Sequence, residues 1–199
     1  MRWKYLATVS LLALAVTGCG PAEDLTTVSA AVFDAATTAQ LTSNPLLADW
    51  TGPNGGQPAF DKMDLDQIKP AMEAGMAASL AEINAIANNP AKPSFENTIV
   101  AMERTGEPLD RAMTYYSIWG SNLSTPEFRA IQGEMAPKLS EYQSRITQNA
   151  ALFARIKTLH DDQANLKLTP HQARLLKLVY DRFQLNGAEL TGEKRDRYA

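Results

Sequence analysis

Lys92-Pro-Ser-Phe-Glu-Asn-Thr-Ile-Val-Ala-Met-Glu-Arg104 is the stretch on which the reading of this chain turns. Pro93 cannot continue a preceding helix, because it lacks a backbone N–H and its ring clashes with the turn before it. Ser94 is a helix-capping residue, and Glu96 and Asn97 put polar side chains against the first free N–H groups of the helix that follows. Phe95, Ile99 and Met102 then recur at helical spacing on one face. The turn is therefore expected to join two amphipathic segments whose apolar sides meet.

The pattern extends both ways. Upstream, Ile68, Met72, Met76, Leu80, Ile83 and Ile86 or Ala87 are spaced by three or four and predict a helix from Asp66 that ends at Asn88-Asn89-Pro90. Downstream, Leu109, Met113 and Tyr116 continue the stripe of Phe95, Ile99 and Met102, with Gly106 and Pro108 marking a kink or break. Glu107 and Arg111 read as an i,i+4 surface ion pair. Ser124 with Glu127 fits a capping box, and Pro126 suits a first helical turn. Phe128, Ile131, Met135, Leu139, Tyr142 and Ile146 form the next stripe, bent at Pro137, and Leu152, Phe153, Ile156 and Leu159 a shorter one. A second capping box at Thr169 and Gln172 launches Leu175, Leu176, Val179 and Phe183.

No stretch alternates with period two for long, so the chain is expected to be all-α, a succession of antiparallel helical hairpins over 44–199. Thr191 to Ala199 reads as the first turns of a further helix without a stop signal, which predicts a chain truncated at its C-terminal end. With partner helices missing, the apolar face from Leu175 to Phe183 is expected to lie uncovered.

Composition narrows the function. With 45% hydrophobic and 21% charged residues in 199, the chain has the make-up of a globular domain. A net charge of −3 with no Lys/Arg-rich block excludes nucleic-acid binding. One cysteine makes no internal disulfide.

That cysteine closes the leader. Arg2 and Lys4 precede an apolar run from Tyr5 to Val16, too short to span a bilayer, and residues 1–18 read as a signal peptide. Val16-Thr17-Gly18-Cys19 resembles a bacterial lipobox, which implies that Cys19 carries a lipid anchor to the membrane. Gly20 stands where Asp would retain such a protein at the inner membrane, so the periplasmic face of the outer membrane is the expected location. Residues 19–43, rich in Ala, Thr and Ser, read as a flexible tether, although Val28 to Leu41 has weak helical character. Residues 51–58 form a turn-rich loop without the GK[ST] pattern of a phosphate cradle.

Catalytic residues are not found. His160 and His171 are the two histidines, and neither belongs to an HExxH sequence. His160-Asp161-Asp162 reads as a polar helix end and not as a metal site. There is no GxSxG elbow, and a lipidated Cys19 is no nucleophile. Glu96 and Glu103 share a helical face but read as solvated charges. Tyr115, Tyr116 and Trp119 read as core and not as a ligand groove. Asn122-Leu123-Ser124 is an accidental glycosylation sequon.

The order of short words carries a resemblance. Asn44-Pro-Leu-Leu-Ala-Asp-Trp50, Pro58-Ala-Phe-Asp61, Lys69-Pro-Ala-Met72, Glu82-Ile-Asn-Ala-Ile-Ala87, Phe95-Glu-Asn-Thr-Ile99, Glu103-Arg-Thr-Gly106, Leu109-Asp-Arg111, Ala136-Pro-Lys-Leu139 and Leu152-Phe-Ala-Arg155 resemble the N-terminal part of the thimet oligopeptidase family of zinc metallopeptidases. The resemblance implies a larger, two-lobed helical peptidase that admits short peptides to a channel and holds zinc through residues absent here. It assigns no catalytic or metal-binding residue to this chain. A second reading of the same residues is a non-catalytic helical envelope lipoprotein that binds a peptide or protein partner.

Overall fold

Asp34 opens the first element: its carboxylate accepts the Thr37 N–H at 2.7 Å, and α1 runs Ala35–Ser43. The computed structural model describes residues 33–53, 56–190 and 193. The leader, Cys19, the first part of the tether and the expected helix start from Thr191 lie outside these residues, Glu193 apart. Residues 35–43, expected as the end of a flexible tether, are instead helical and packed against the long helix that follows. The threonines lower the intrinsic propensity, but the Asp34 cap and docking outweigh it. Asn44 fixes that docking by donating from Nδ2 to the Gln67 carbonyl at 3.1 Å. Leu46 and Leu47 follow it into the core.

A 3₁₀ turn, Phe60–Lys62, leads to α2, Leu65–Ala87, close to the span read from the sequence. The Lys92–Asn97 turn is built as its residues predict. Ser94 Oγ accepts the Asn97 N–H at 3.1 Å, and Asn97 Oδ1 accepts the Ser94 N–H at 2.9 Å, a reciprocal capping box. The helix it opens is first a π-helical segment, Phe95–Val100, and then a short α3, Ala101–Glu103.

Gly106, with φ of 85°, ends that passage, and α4 runs Glu107–Asn122 with Pro108 in its first turn. The expected break is real, and it has a consequence for the stripe. Phe95, Ile99 and Met102 belong to one apolar cluster, and Leu109, Met113 and Tyr116 to another.

α5, Pro126–Thr147, is capped by Thr125 and not by Ser124, with the Phe128 N–H on Thr125 Oγ1 at 3.3 Å. Pro126 as the first helical residue leaves the position before it as the cap. α6 spans Ala150–Asp161 and α7 Pro170–Leu185, the latter with the Thr169–Gln172 box as read. The face of α7 expected to lie bare is covered. Leu176, Tyr180 and Phe183 are buried, and the Phe153 ring of α6 stacks on Tyr180 and Phe183 at 5.7 and 6.2 Å. Leu178 remains outside at 52% exposure.

Every regular element among the described residues is helical, and the class is all-α. The first core gathers Leu46, Leu47, Ile68, Met72, Leu109, Tyr115, Phe128 and Met135; the second gathers Ile83, Ile86, Phe95, Ile99, Leu152, Ile156, Leu159 and Leu176. α2 serves both.

Two arginines tie loops to this frame. Arg111 donates from Nε to the Leu47 carbonyl at 3.0 Å and pairs with Asp49 at 3.1 Å, so it does more than meet Glu107, which lies at 3.9 Å. Arg155, only 7% exposed, donates to the Asn89 and Ala91 carbonyls at 2.7 and 3.1 Å and to Asn97 Oδ1 at 2.8 Å. Arg155→Met keeps much of the apolar stem but removes the donor from the Asn89 and Ala91 carbonyls and from Asn97 Oδ1, and is expected to cost about 1–3 kcal/mol of stability. Urea denaturation measures this; a loss below about 0.5 kcal/mol would show that the turn does not need the guanidinium.

Candidate functional site

The Lys92–Glu96 turn forms one wall of a cleft of about 350 Å³, and Thr158, Leu159 and Asp162 of α6 with the Leu166–Leu168 connection form the other. Phe95 and Leu159 are buried at its base, while Lys92, Glu96 and Lys167 are exposed around it. The turn wall is held from behind: Asn97 Nδ2 donates to the Lys92 carbonyl at 3.0 Å, and Arg155 binds Asn97. The cleft thus offers an apolar base, charges of both signs and a fixed wall. It contains no histidine or cysteine and no hydroxyl paired with a base. Binding is within its chemistry.

The residues weighed from the sequence fall elsewhere. Glu96 and Glu103 are exposed. Tyr115 is fully buried and its hydroxyl accepts the Ala59 N–H at 2.8 Å. The Tyr116 and Trp119 rings lie 5.3 and 6.3 Å from Phe128, so the aromatic group is core, as read. Burial pushes the Tyr116 phenol up, with a Gln132 hydrogen bond opposing it. His160 stacks on Tyr180 with ring centres 3.8 Å apart, Asp161 pairs with Lys157 at 2.7 Å, and Asp162 accepts from Asn165 at 2.6 Å. His160 also approaches Asp161 at 3.6 Å, but Asp162 turns to Asn165. No group of three or more His, Cys, Asp or Glu among the described residues is placed to hold a metal ion, and the residues present do not fit a zinc site.

Sequence reasoning passed over Arg155, whose only visible signal was an arginine on the apolar side of α6, one position before Ile156. It also read Tyr142 as stripe alone. The Tyr142 hydroxyl meets Ser79 Oγ at 2.8 Å, and burial raises its pKa.

Comparison with known proteins identifies the scaffold. The chain is 34% identical over 149 residues, 75% of its length, to the dipeptidyl carboxypeptidase of Escherichia coli (strain K12), of which it covers 22%. To the dipeptidyl carboxypeptidase of Salmonella typhimurium it is 31% identical over 157 residues, 79% of this chain and 23% of that one. The chain belongs to the thimet oligopeptidase family, matching its N-terminal part. A probable cytosolic oligopeptidase A of Arabidopsis thaliana is 26% identical over 165 residues, 79% of this chain and 22% of that one. No family model matches. The chain spans less than a quarter of the length of these relatives.

The relatives correct one expectation. An outer-membrane location was read from residues 1–19, but the family similarity gives no sign of lipid anchoring and includes a protein named as cytosolic. A short apolar run ending in small residues is a weak pattern beside a match of 149 residues.

The surface charges make a pH prediction. The Lys69 ammonium, by hydrogen bond and charge, holds Glu134 below its ordinary 4.5, and Lys157 holds Asp161 below 3.8. Backbone N–H groups at helix starts hold Glu127 and Asp34 below 4.5 and 3.8. A carboxyl whose folded pKa is depressed contributes fully above its unfolded value, and the contribution is lost as pH falls through the folded value. The melting temperature is therefore expected to hold from pH 7 to about 5 and to fall below about pH 4. Circular-dichroism melts across that range check it, and a flat profile down to pH 2.5 contradicts it.

Proposed function

We propose that the 44–190 region supplies the helical N-terminal scaffold of a peptidase that cleaves short peptides, either within them or by releasing dipeptides from the C-terminal end. The similarity to dipeptidyl carboxypeptidases over three quarters of the chain carries this reading. In the whole protein, zinc would activate the attacking water, as the family resemblance implies. No residue described here fits that role, and no catalytic step is assigned to this chain. Its contribution is to pack, to set the wall of the cleft and to position the parts that surround it. The second reading, a non-catalytic envelope lipoprotein, is not favoured, since the relatives are peptidases.

Two measurements test the proposal. The 199-residue chain alone, with or without added zinc, is expected to release no product from short peptides. A chimera in which its matched segment replaces the corresponding part of the Escherichia coli dipeptidyl carboxypeptidase is expected to release dipeptides. A soluble, cooperatively folded chimera without activity contradicts the scaffold role, as does hydrolysis by the chain alone.

A further inference from the structure

Met76 is the last residue of α2 in the first core and Ile83 the first in the second. Between them α2 buries only the small Ala78 fully among its apolar side chains and makes hydrogen bonds to its neighbours through polar groups. Ser79, buried, meets the Tyr142 hydroxyl of α5 at 2.8 Å. Glu82 accepts the Gly106 N–H at 2.8 Å, and Gly106 sits so close that a Cβ there would lie 3.2 Å from Ser79 Oγ. Ser79 and Glu82 of α2 thus hold α5 and the Gly106 turn, one hydrogen bond to each.

The chain crosses this level three times. α2 crosses as continuous helix. The passage from Met102 in the second core to Leu109 in the first crosses at Gly106, where the backbone is left-handed and non-helical. α5 crosses with Leu139 and the Tyr142 ring on the first core and Ile146 on the second. The last two passages are each fastened to α2 by a side-chain hydrogen bond. Such bonds hold a geometry but couple two bodies less strongly than interdigitated apolar side chains do. The outlying elements keep to one side: α1 and Leu46-Leu47 to the first core, α6 and α7 to the second.

We propose that the chain holds two cooperative units that open independently of each other across this seam, with the Ser79–Tyr142 and Glu82–Gly106 hydrogen bonds as its latch. Each unit opens while the other stays folded, as contiguous cooperative units do in larger folds. The latch sets how often.

Native-state hydrogen exchange on the 199-residue chain tests this. Met72→Ala weakens the first core alone and is expected to speed exchange of the most protected amides at 68–76 and 109–116 at least tenfold, leaving 152–159 and 176–183 within twofold of wild type. Ile156→Ala is expected to do the reverse. If the alanine variants do not fold, Ile68→Val and Ile156→Val give the same comparison at about threefold. Removing the latch with Tyr142→Phe and Glu82→Met is expected to speed exchange severalfold in both sets, because each unit then opens without breaking those bonds. Equal acceleration of both sets by a single-core variant overturns the two units, and unchanged exchange in the latch variant overturns the latch.

Discussion

The Lys92–Asn97 turn keeps its place because a buried guanidinium, with no carboxylate partner among the described residues, is held there through its two terminal nitrogens, while its Nε has no hydrogen-bond partner. Arg155 has main-chain carbonyls and one amide oxygen around it, and burial lowers its pKa. Removing a cation from water costs several kcal/mol unless its surroundings return the lost interactions. The return comes from geometry. Asn89 and Ala91 lie just past the C-terminal end of α2, where the helix dipole is negative, and the planar fork reaches both carbonyls and Asn97 together. A lysine would bring a compact ammonium that fits this fork of acceptors less well. The arginine thus fixes α6 to the end of α2 and to the start of the π-helical segment at once.

From that joint the rest follows in order. With the turn fixed, Phe95 and Ile99 enter the second core, and α6 brings α7 across it through Phe153, Tyr180 and Phe183. The first core assembles around the other half of α2 from α1, α4 and α5. Gly75 allows the closest approach there: a Cβ on it would lie 2.8 Å from the Leu109 Cα. Backbone packed against backbone at one end of α2, and rings stacked over α6 at the other, make a helix of 23 residues common to both halves.

Much of this was legible in the residues. Spacing by three and four located α2, α4, α5, α6 and α7, and Ser94, Thr169 and Pro126 placed starts because capping is local chemistry. The stripe from Phe95 to Tyr116 was misleading, since periodicity marks an apolar face and not the neighbour it meets; a single glycine in the left-handed region sends its two halves to different cores. Residues 35–43 were read as tether because threonine-rich segments are poor helices alone, and docking by Asn44 and the following leucines is tertiary. Arg155 was hidden for the same reason, as its acceptors lie 58 to 66 residues away.

The cleft shows how little of the candidate site is chemical. Groups with shifted pKa values tend to gather where proton transfer is done. Here they sit at helix starts, as Asp34 and Glu127 do, in exposed ion pairs such as Lys69–Glu134 and Lys157–Asp161, and at Tyr142 in the seam between cores. An apolar base behind a wall that Arg155 holds in place is a surface suited to packing or positioning.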